Sequence, residues 1–105
     1  MNDQASAALE RALELSRDVL AAADRGEGEA ILSIDVERLQ LLKSARRSAN
    51  AFDARQRMLI REIAALNAES IGALEHQRQL KGREIEQAAV GRRAVKAYAS
   101  ARYLR

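Results

Sequence analysis

The chain has 105 residues, of which 48% are hydrophobic and 31% charged, and it contains neither proline nor cysteine. Only three residues are aromatic, so Ala, Leu, Ile and Val supply most of the hydrophobic content. This composition is typical of long helices and coiled coils, and we predict an all-α fold in a single domain spanning residues 1–105. The lack of cysteine excludes disulfides and thiolate metal sites.

The sequence predicts a soluble protein of the cytosol without a membrane partner. It contains no apolar run of about 18 residues, which a transmembrane helix would need. The N-terminal residues lack the basic segment and the apolar segment of a signal peptide.

The formal net charge of +3 is unevenly distributed. Residues 1–75 contain ten Lys or Arg and thirteen Asp or Glu, a net charge of −3. Residues 76–105 contain eight basic and two acidic residues, a net charge of +6. This asymmetry indicates either an interaction tail or a solvated helix face. We expect no direct binding of nucleic acid, because Tyr98 and Tyr103 are the only aromatic residues near the basic positions that could stack on bases.

A first helix is predicted at about residues 3–24, with Asn2 or Asp3 capping its free N–H groups. One side of this helix repeats at intervals of three or four residues, at Leu9, Leu13, Ser16, Leu20 and Ala23. Such a stripe is typical of a helix that faces the core of a bundle.

Gly26 follows a basic residue and predicts the end of the first helix, because glycine adopts the left-handed conformation at low cost. A second helix is expected at about residues 27–48, where it would form an antiparallel hairpin with the first. Charged residues interrupt its apolar stripe at Asp35, Glu37 and Arg38.

Asp53 is followed three residues later by Gln56, a spacing that resembles a capping box. We therefore predict a long third helix at about residues 53–81. Phe52, just outside the cap, is expected to pack as a hydrophobic plug.

Two glycines, Gly82 and Gly91, then follow in a segment with few large apolar residues. Each costs a helix about 1 kcal/mol relative to Ala. We therefore predict a break between them and a short fourth helix at about residues 92–101. The expected architecture is a coiled-coil-like bundle of three or four helices.

No constellation of residues points to an enzyme. His76 is the only histidine, and the positions three and four residues away from it offer no metal ligand. Asp35 lies near an apolar stripe but has no His, Cys or second acid placed to share a proton with it. We expect no catalytic site, no metal and no cofactor.

Asn67 and Ser70 lie on or beside the apolar stripe of the third helix. One interpretation is that they set the register of a bundle, as a buried Asn does in coiled coils. The other is that they form a polar element of a partner-binding groove. The sequence leaves both interpretations open.

Three segments, residues 12–42, 66–74 and 91–98, together resemble the FliT family of flagellar export chaperones. The first carries a Leu-x-x-Glu-Arg-x-x-Leu-Leu pattern, the second Leu-Asn-x-x-x-Ile, and the third Gly-Arg-x-Ala-x-x-Ala-Tyr. The matching residues are Ile34, Glu37, Arg38, Leu41 and Leu42; Leu66, Asn67 and Ile71; and Gly91, Arg92, Ala94, Ala97 and Tyr98. Position 34 carries Ile where the pattern has Leu, and the segment that links the third helix to residues 91–98 has fewer large apolar residues than the family pattern leads us to expect.

The resemblance implies a cytosolic, non-enzymatic chaperone of the flagellar type III export system. Such proteins bind the C-terminal part of the filament-cap protein, prevent its premature assembly and deliver it to the export ATPase complex. In some members the freed chaperone also binds the flagellar master transcription activator. The third helix would supply the binding surface, and the last helix would fold over it as an inhibitory flap.

An amphipathic partner helix is expected to dock on the third helix. The predicted partner-binding residues are Ile63, Leu66, Asn67, Ser70, Ile71, Leu74 and Arg78, and the predicted flap residues are Arg92, Val95 and Tyr98. Two alternatives stay open: a structural coiled-coil homo-oligomer, with a homodimer as its simplest form, and a coiled-coil regulator of a secretion ATPase.

Overall fold

The computed structural model describes residues 3–103, with side chains described from residue 3 to residue 97. In this range it contains three helices, α1 (Asp3–Asp24), α2 (Gly28–Ser48) and α3 (Ala54–Tyr103), and no β-strand. The prediction of an all-α fold is confirmed. Both α1 and α2 begin and end within one residue of the predicted positions.

The predicted break in the third helix is not found, because α3 continues through Gly82 and Gly91. No separate helix at 92–101 exists for the same reason. Among the described residues only Gly26 has a positive φ, so Gly82 and Gly91, like Gly72 earlier in α3, keep a right-handed backbone. Gly82 and Gly91 together lower the stability of the helix by about 2 kcal/mol relative to alanine at both positions. Residues 82–97 contain no Ser, Thr, Asp or Asn to cap a new helix, so a break would lose hydrogen bonds that nothing replaces.

The chain divides into two compact units, Met1–Leu74 and Glu75–Arg105. In the first unit α1 packs against α2, and the N-terminal part of α3 joins their core. In the second unit none of the residues from 75 to 97 is buried. The candidate site described below therefore lies in the first unit.

The core of the first unit is built on α1, whose buried face holds ten residues. Near its N-terminal end Leu9 and Leu13 pack with Ala45 of α2 and Ile63 of α3. Phe52 packs against this cluster, as the sequence predicts. A second cluster lies near the other end of α1 and consists of Val19, Ala22, Ala23 and Ile31. Alanine supplies four of the seven residues of the first cluster and two of the four of the second, which favours close approach of the helices.

The turn between α1 and α2 is a Schellman motif centred on Gly26, whose φ is 70°. The Gly26 N–H donates to the Ala23 carbonyl at 3.1 Å, and the Glu27 N–H donates to the Ala22 carbonyl at 2.9 Å. Across the turn Arg25 Nε donates to Glu27 Oε1 at 2.8 Å, and this hydrogen bond lowers the pKa of the Glu27 carboxyl. The glycine identified in the sequence thus ends α1 through its left-handed backbone.

Replacing Gly26 with Ala is expected to lower the free energy of unfolding by about 1 kcal/mol, because a Cβ disfavours the left-handed conformation. Urea unfolding followed by circular dichroism measures the change. Gly28→Ala is the matched control, since a Cβ there meets nothing within 4 Å and the residue is helical. Equal losses in the two variants would show that the backbone conformation of Gly26 is not the cause.

α3 begins at the capping box that the sequence predicts. The Gln56 N–H donates to Asp53 Oδ1 at 2.8 Å, and the Asp53 N–H donates to Gln56 Oε1 at 3.0 Å. Gln56 is fully buried, and its Nε2 also donates to Ser6 Oγ of α1 at 3.0 Å. The same side chain therefore caps one helix and connects it to another.

Candidate protein-binding groove

The structure separates the predicted partner-binding residues by their accessibility. Ile63 is 4% exposed and belongs to the core, and Leu66 packs partly buried against the same cluster. Asn67, Ser70 and the two apolar residues that follow line one cavity, described next. Arg78 lies in the second unit, where it is exposed and 3.9 Å from Glu75.

The cavity has a volume of about 240 Å³ and is formed by residues of all three helices. Its apolar lining consists of Val19 from α1, Ile31 from α2, and Ile71 and Leu74 from α3. Its polar lining consists of Asp35 and Arg38 from α2, and Asn67 and Ser70 from α3. We call these eight residues the α2–α3 groove.

Arg38 is the central polar residue of the groove, with 12% of its side chain exposed. Its Nη1 donates to Asn67 Oδ1 of α3 and, at 3.3 Å, to Ser16 Oγ of α1. Its Nη2 lies 2.8 Å from Asp35 Oδ1, which forms an ion pair within α2. One guanidinium thus links the three helices, and a mutual shift of α2 and α3 would break the bond to Asn67.

Arg38 is not among the predicted site residues, although its position in the apolar stripe of α2 indicates a buried polar contact. The core-facing stripe of α2 runs through Ile31, Ile34, Leu41 and Ala45, with a gap between the second and third members. Position 38 fills that gap at intervals of four and three residues, so a charged side chain occupies a core-facing position. Such a residue is expected to find a buried partner.

Three buried polar atoms in the groove have no hydrogen-bond partner among the described residues: Ser70 Oγ, Arg38 Nε and Asp35 Oδ1. The last of these is held by Arg38 Nη2 in an ion pair at 2.8 Å, so only Ser70 Oγ and Arg38 Nε lack any partner among the described residues. Ser70 is 4% exposed, so bulk water does not readily reach its hydroxyl. The groove therefore has a polar floor in which Ser70 Oγ and Arg38 Nε find no partner within the described part of the chain.

The rim of the groove is apolar and accessible. On α3, Ile71 is 68% exposed and Leu74 is 38% exposed. On α2, Leu32 and Leu39 are exposed and lie three residues before and four residues after Asp35, which places them on its side of the helix. Apolar side chains left in water beside a cavity are typical of a surface that binds another protein.

A larger depression, of about 540 Å³, lies elsewhere and is a weaker candidate for a binding site. All six of its lining residues belong to α2, between Glu37 and Arg47. Within the described range no second element closes it, so it is an open surface of α2 without a constellation of functional groups.

The second unit is a helical segment with a basic side. Arg78, Lys81, Arg92 and Lys96 are spaced so that they fall on one side of the helix, and all are exposed. The exposed Ile85, Val90 and Val95 point in different directions and form no apolar stripe. Of the predicted flap residues, Arg92 and Val95 are exposed, whereas the Tyr98 side chain lies outside the described residues.

Within the described range no group of three or more His, Cys, Asp or Glu residues could hold a metal ion. None of the described helices is long and apolar enough to cross a membrane. Comparison of the chain with protein-family models, with curated proteins and with solved structures finds no match.

Proposed function

We propose that the chain is a protein-binding chaperone of the flagellar type III export system, active in the cytosol and not an enzyme. One observation carries the proposal: the α2–α3 groove leaves Ile71 and Leu74 in water beside a cavity. Both lie in the segment at 66–74 through which the sequence resembles the FliT family. The groove supports protein binding, and the resemblance supplies the identity of the partner.

In this proposal the partner is the C-terminal segment of the filament-cap protein, bound as an amphipathic helix. Burying a large aliphatic side chain fully contributes about 1.5–3 kcal/mol, so a few such residues on each side supply usable affinity. While the chaperone is bound, it covers the apolar face that the cap protein uses for assembly. Release at the export ATPase complex would then free both molecules.

The same groove could serve the flagellar master transcription activator once the cap protein has left. Two partners that use one surface exclude each other, so the free chaperone would report that export is complete. This second role rests on the resemblance alone.

Titration calorimetry with the C-terminal segment of the filament-cap protein from the same organism tests the proposal. We expect binding by the full chain and at least about tenfold weaker binding by Ile71→Glu, because a carboxylate at an interface core loses its water without gaining a partner. Met58→Glu is the matched control, since Met58 is similarly exposed on another side of α3.

Equal weakening by both substitutions would mean that the groove is not the binding surface. Binding by no variant, together with a dimer whose light scattering does not depend on concentration, would favour a structural homo-oligomer instead. A chain truncated after Gln87 is expected to bind with unchanged affinity in the same titration, because α3 has no break that would let residues 92–101 compete with the partner as a flap.

A further inference from the structure

The floor of the α2–α3 groove carries hydrogen-bonding atoms with unused capacity. Arg38 Nε can only donate and Ser70 Oγ can do either, whereas Asp35 Oδ1, held by Arg38 Nη2 at 2.8 Å, can accept one further hydrogen bond. The three residues that carry these atoms line the same 240 Å³ cavity. Buried polar atoms in proteins are rarely left unpaired, so their convergence indicates a group that completes them.

The charge of the floor selects the chemistry of that group. Arg38 and Asp35 form an ion pair at 2.8 Å, so the floor carries no net charge. A carboxylate would bond Arg38 but face the oxygen of Asp35, and an ammonium or guanidinium would do the reverse. A primary carboxamide presents an acceptor and two donors on one planar group, which matches both sides of the floor.

We propose that the α2–α3 groove binds an amphipathic helix that inserts one Asn or Gln side chain into the polar floor. The proposal rests on the protein-binding role of the groove argued above, and adds the residue that the partner must carry. The carboxamide oxygen accepts from Arg38 Nε, and its NH₂ donates to Asp35 Oδ1 and Ser70 Oγ.

The apolar rim of the groove determines which residues the partner helix carries on either side of that carboxamide. Leu32 and Leu39 lie three residues before and four residues after Asp35 on α2, and Leu74 lies four residues after Ser70 on α3. A helix lying along the groove would meet these side chains about one turn on either side of its central polar residue. The recognised segment therefore has large apolar residues three or four positions before and after an Asn or Gln.

The competing occupant of the floor is water. The cavity exceeds the roughly 30 Å³ share of one water molecule in the liquid, and its polar atoms suit ordered water. Bound water would satisfy the floor without any preference for the residue a partner carries. Selectivity for the central residue of a bound helix distinguishes the two occupants.

A displayed library of 20-residue amphipathic helices, selected on the immobilised full chain, tests the proposal. The library has apolar residues at one-turn spacing and a fully randomised central position. We expect enrichment of Asn and Gln at that position. Synthetic versions of enriched peptides should lose about ten- to a hundredfold in affinity when the carboxamide is replaced by Leu or Asp, as the loss of two or three buried hydrogen bonds predicts.

Ser70→Ala makes the test specific to the floor. Because the hydroxyl is buried and unpaired, its removal is not expected to unfold the chain. It should reduce the preference for Asn and Gln over Leu several-fold, whereas Ser33→Ala, at an exposed position of α2, should leave the preference unchanged.

Enriched helices with no preference at the central position would overturn the proposal and indicate a water-filled floor, while the groove kept its binding role. A carboxamide preference that Ser70→Ala leaves intact would also overturn it. Failure to enrich any helix would remove both this proposal and docking in the groove. The proposed export function is tested separately. It fails if calorimetry detects no heat of binding with the filament-cap segment.

Discussion

Replacing Gln56 with Ala is expected to lower the free energy of unfolding by about 2–3 kcal/mol. The side chain is fully buried, accepts a hydrogen bond from the Asp53 N–H and donates one to Ser6 Oγ. Truncation removes both bonds, leaves their partners without a replacement and opens a cavity between α1 and α3. Urea unfolding followed by circular dichroism gives the change, provided that the slope with urea stays constant.

Gln79→Ala controls for the chemical change alone, because Gln79 is an exposed residue of the same helix. Its effect should stay within about 0.5 kcal/mol of zero. Combining Gln56→Ala with Ser6→Ala should cost less than the sum of the single substitutions, since each removes the same hydrogen bond. Additive losses, or a Gln56→Ala variant as stable as the parent chain, would show that the buried amide does not anchor α3.

Local signals account for the parts of the fold that the sequence predicts well. The stop at Gly26 and the capping box at Asp53 and Gln56 each involve atoms only a few residues apart. Such interactions depend on residue type and short spacing, both of which can be read directly. The end of α1 and the start of α3 follow from them to within a residue.

α3 is continuous through Gly82 and Gly91, so the prediction of a break from local helix propensity is wrong. Glycine lowers helix propensity, but a helix ends only where another arrangement satisfies its backbone groups. The segment offers no capping residue and neither glycine adopts a positive φ. The low helix propensity of glycine alone predicts a hinge. The hinge is absent because no residue of the segment could cap the two helix ends that a break would create.

The candidate groove depends on contacts that no local pattern encodes. Arg38 reaches residues 22 positions back and 29 positions ahead in the chain. Periodicity shows that Ile63 and Ile71 both belong to the apolar pattern of α3, yet 4% of one and 68% of the other is exposed. Which part of a stripe is covered depends on the packing of its neighbours, so the sequence identifies the helix but not the accessible residues.

Arg38→Met is expected to lower the free energy of unfolding by about 2 kcal/mol. The substitution keeps an apolar stem of similar length but removes the donor to Asn67 and the cation beside Asp35. The loss of the Arg38 hydrogen bond to Ser16 costs less than the loss of the bond to Asn67, because the Ser16 hydroxyl still donates to the Ala12 carbonyl at 2.8 Å. The cost falls below that of a fully buried ion pair, since 34% of the Asp35 side chain is exposed and water can solvate it.

Adding Asn67→Leu to Arg38→Met should restore stability to within about 1 kcal/mol of the parent chain, because apolar replacements of a buried polar network are often neutral or stabilising. If the network instead fixes the register of α2 against α3, the double variant will be stable but will show broadened or doubled amide resonances in NMR spectra. Sharp, single resonances in a stable double variant would exclude the register role. An Arg38→Met variant as stable as the parent chain would show that the network adds nothing to stability, and would leave the register of the helices and partner recognition as its remaining roles.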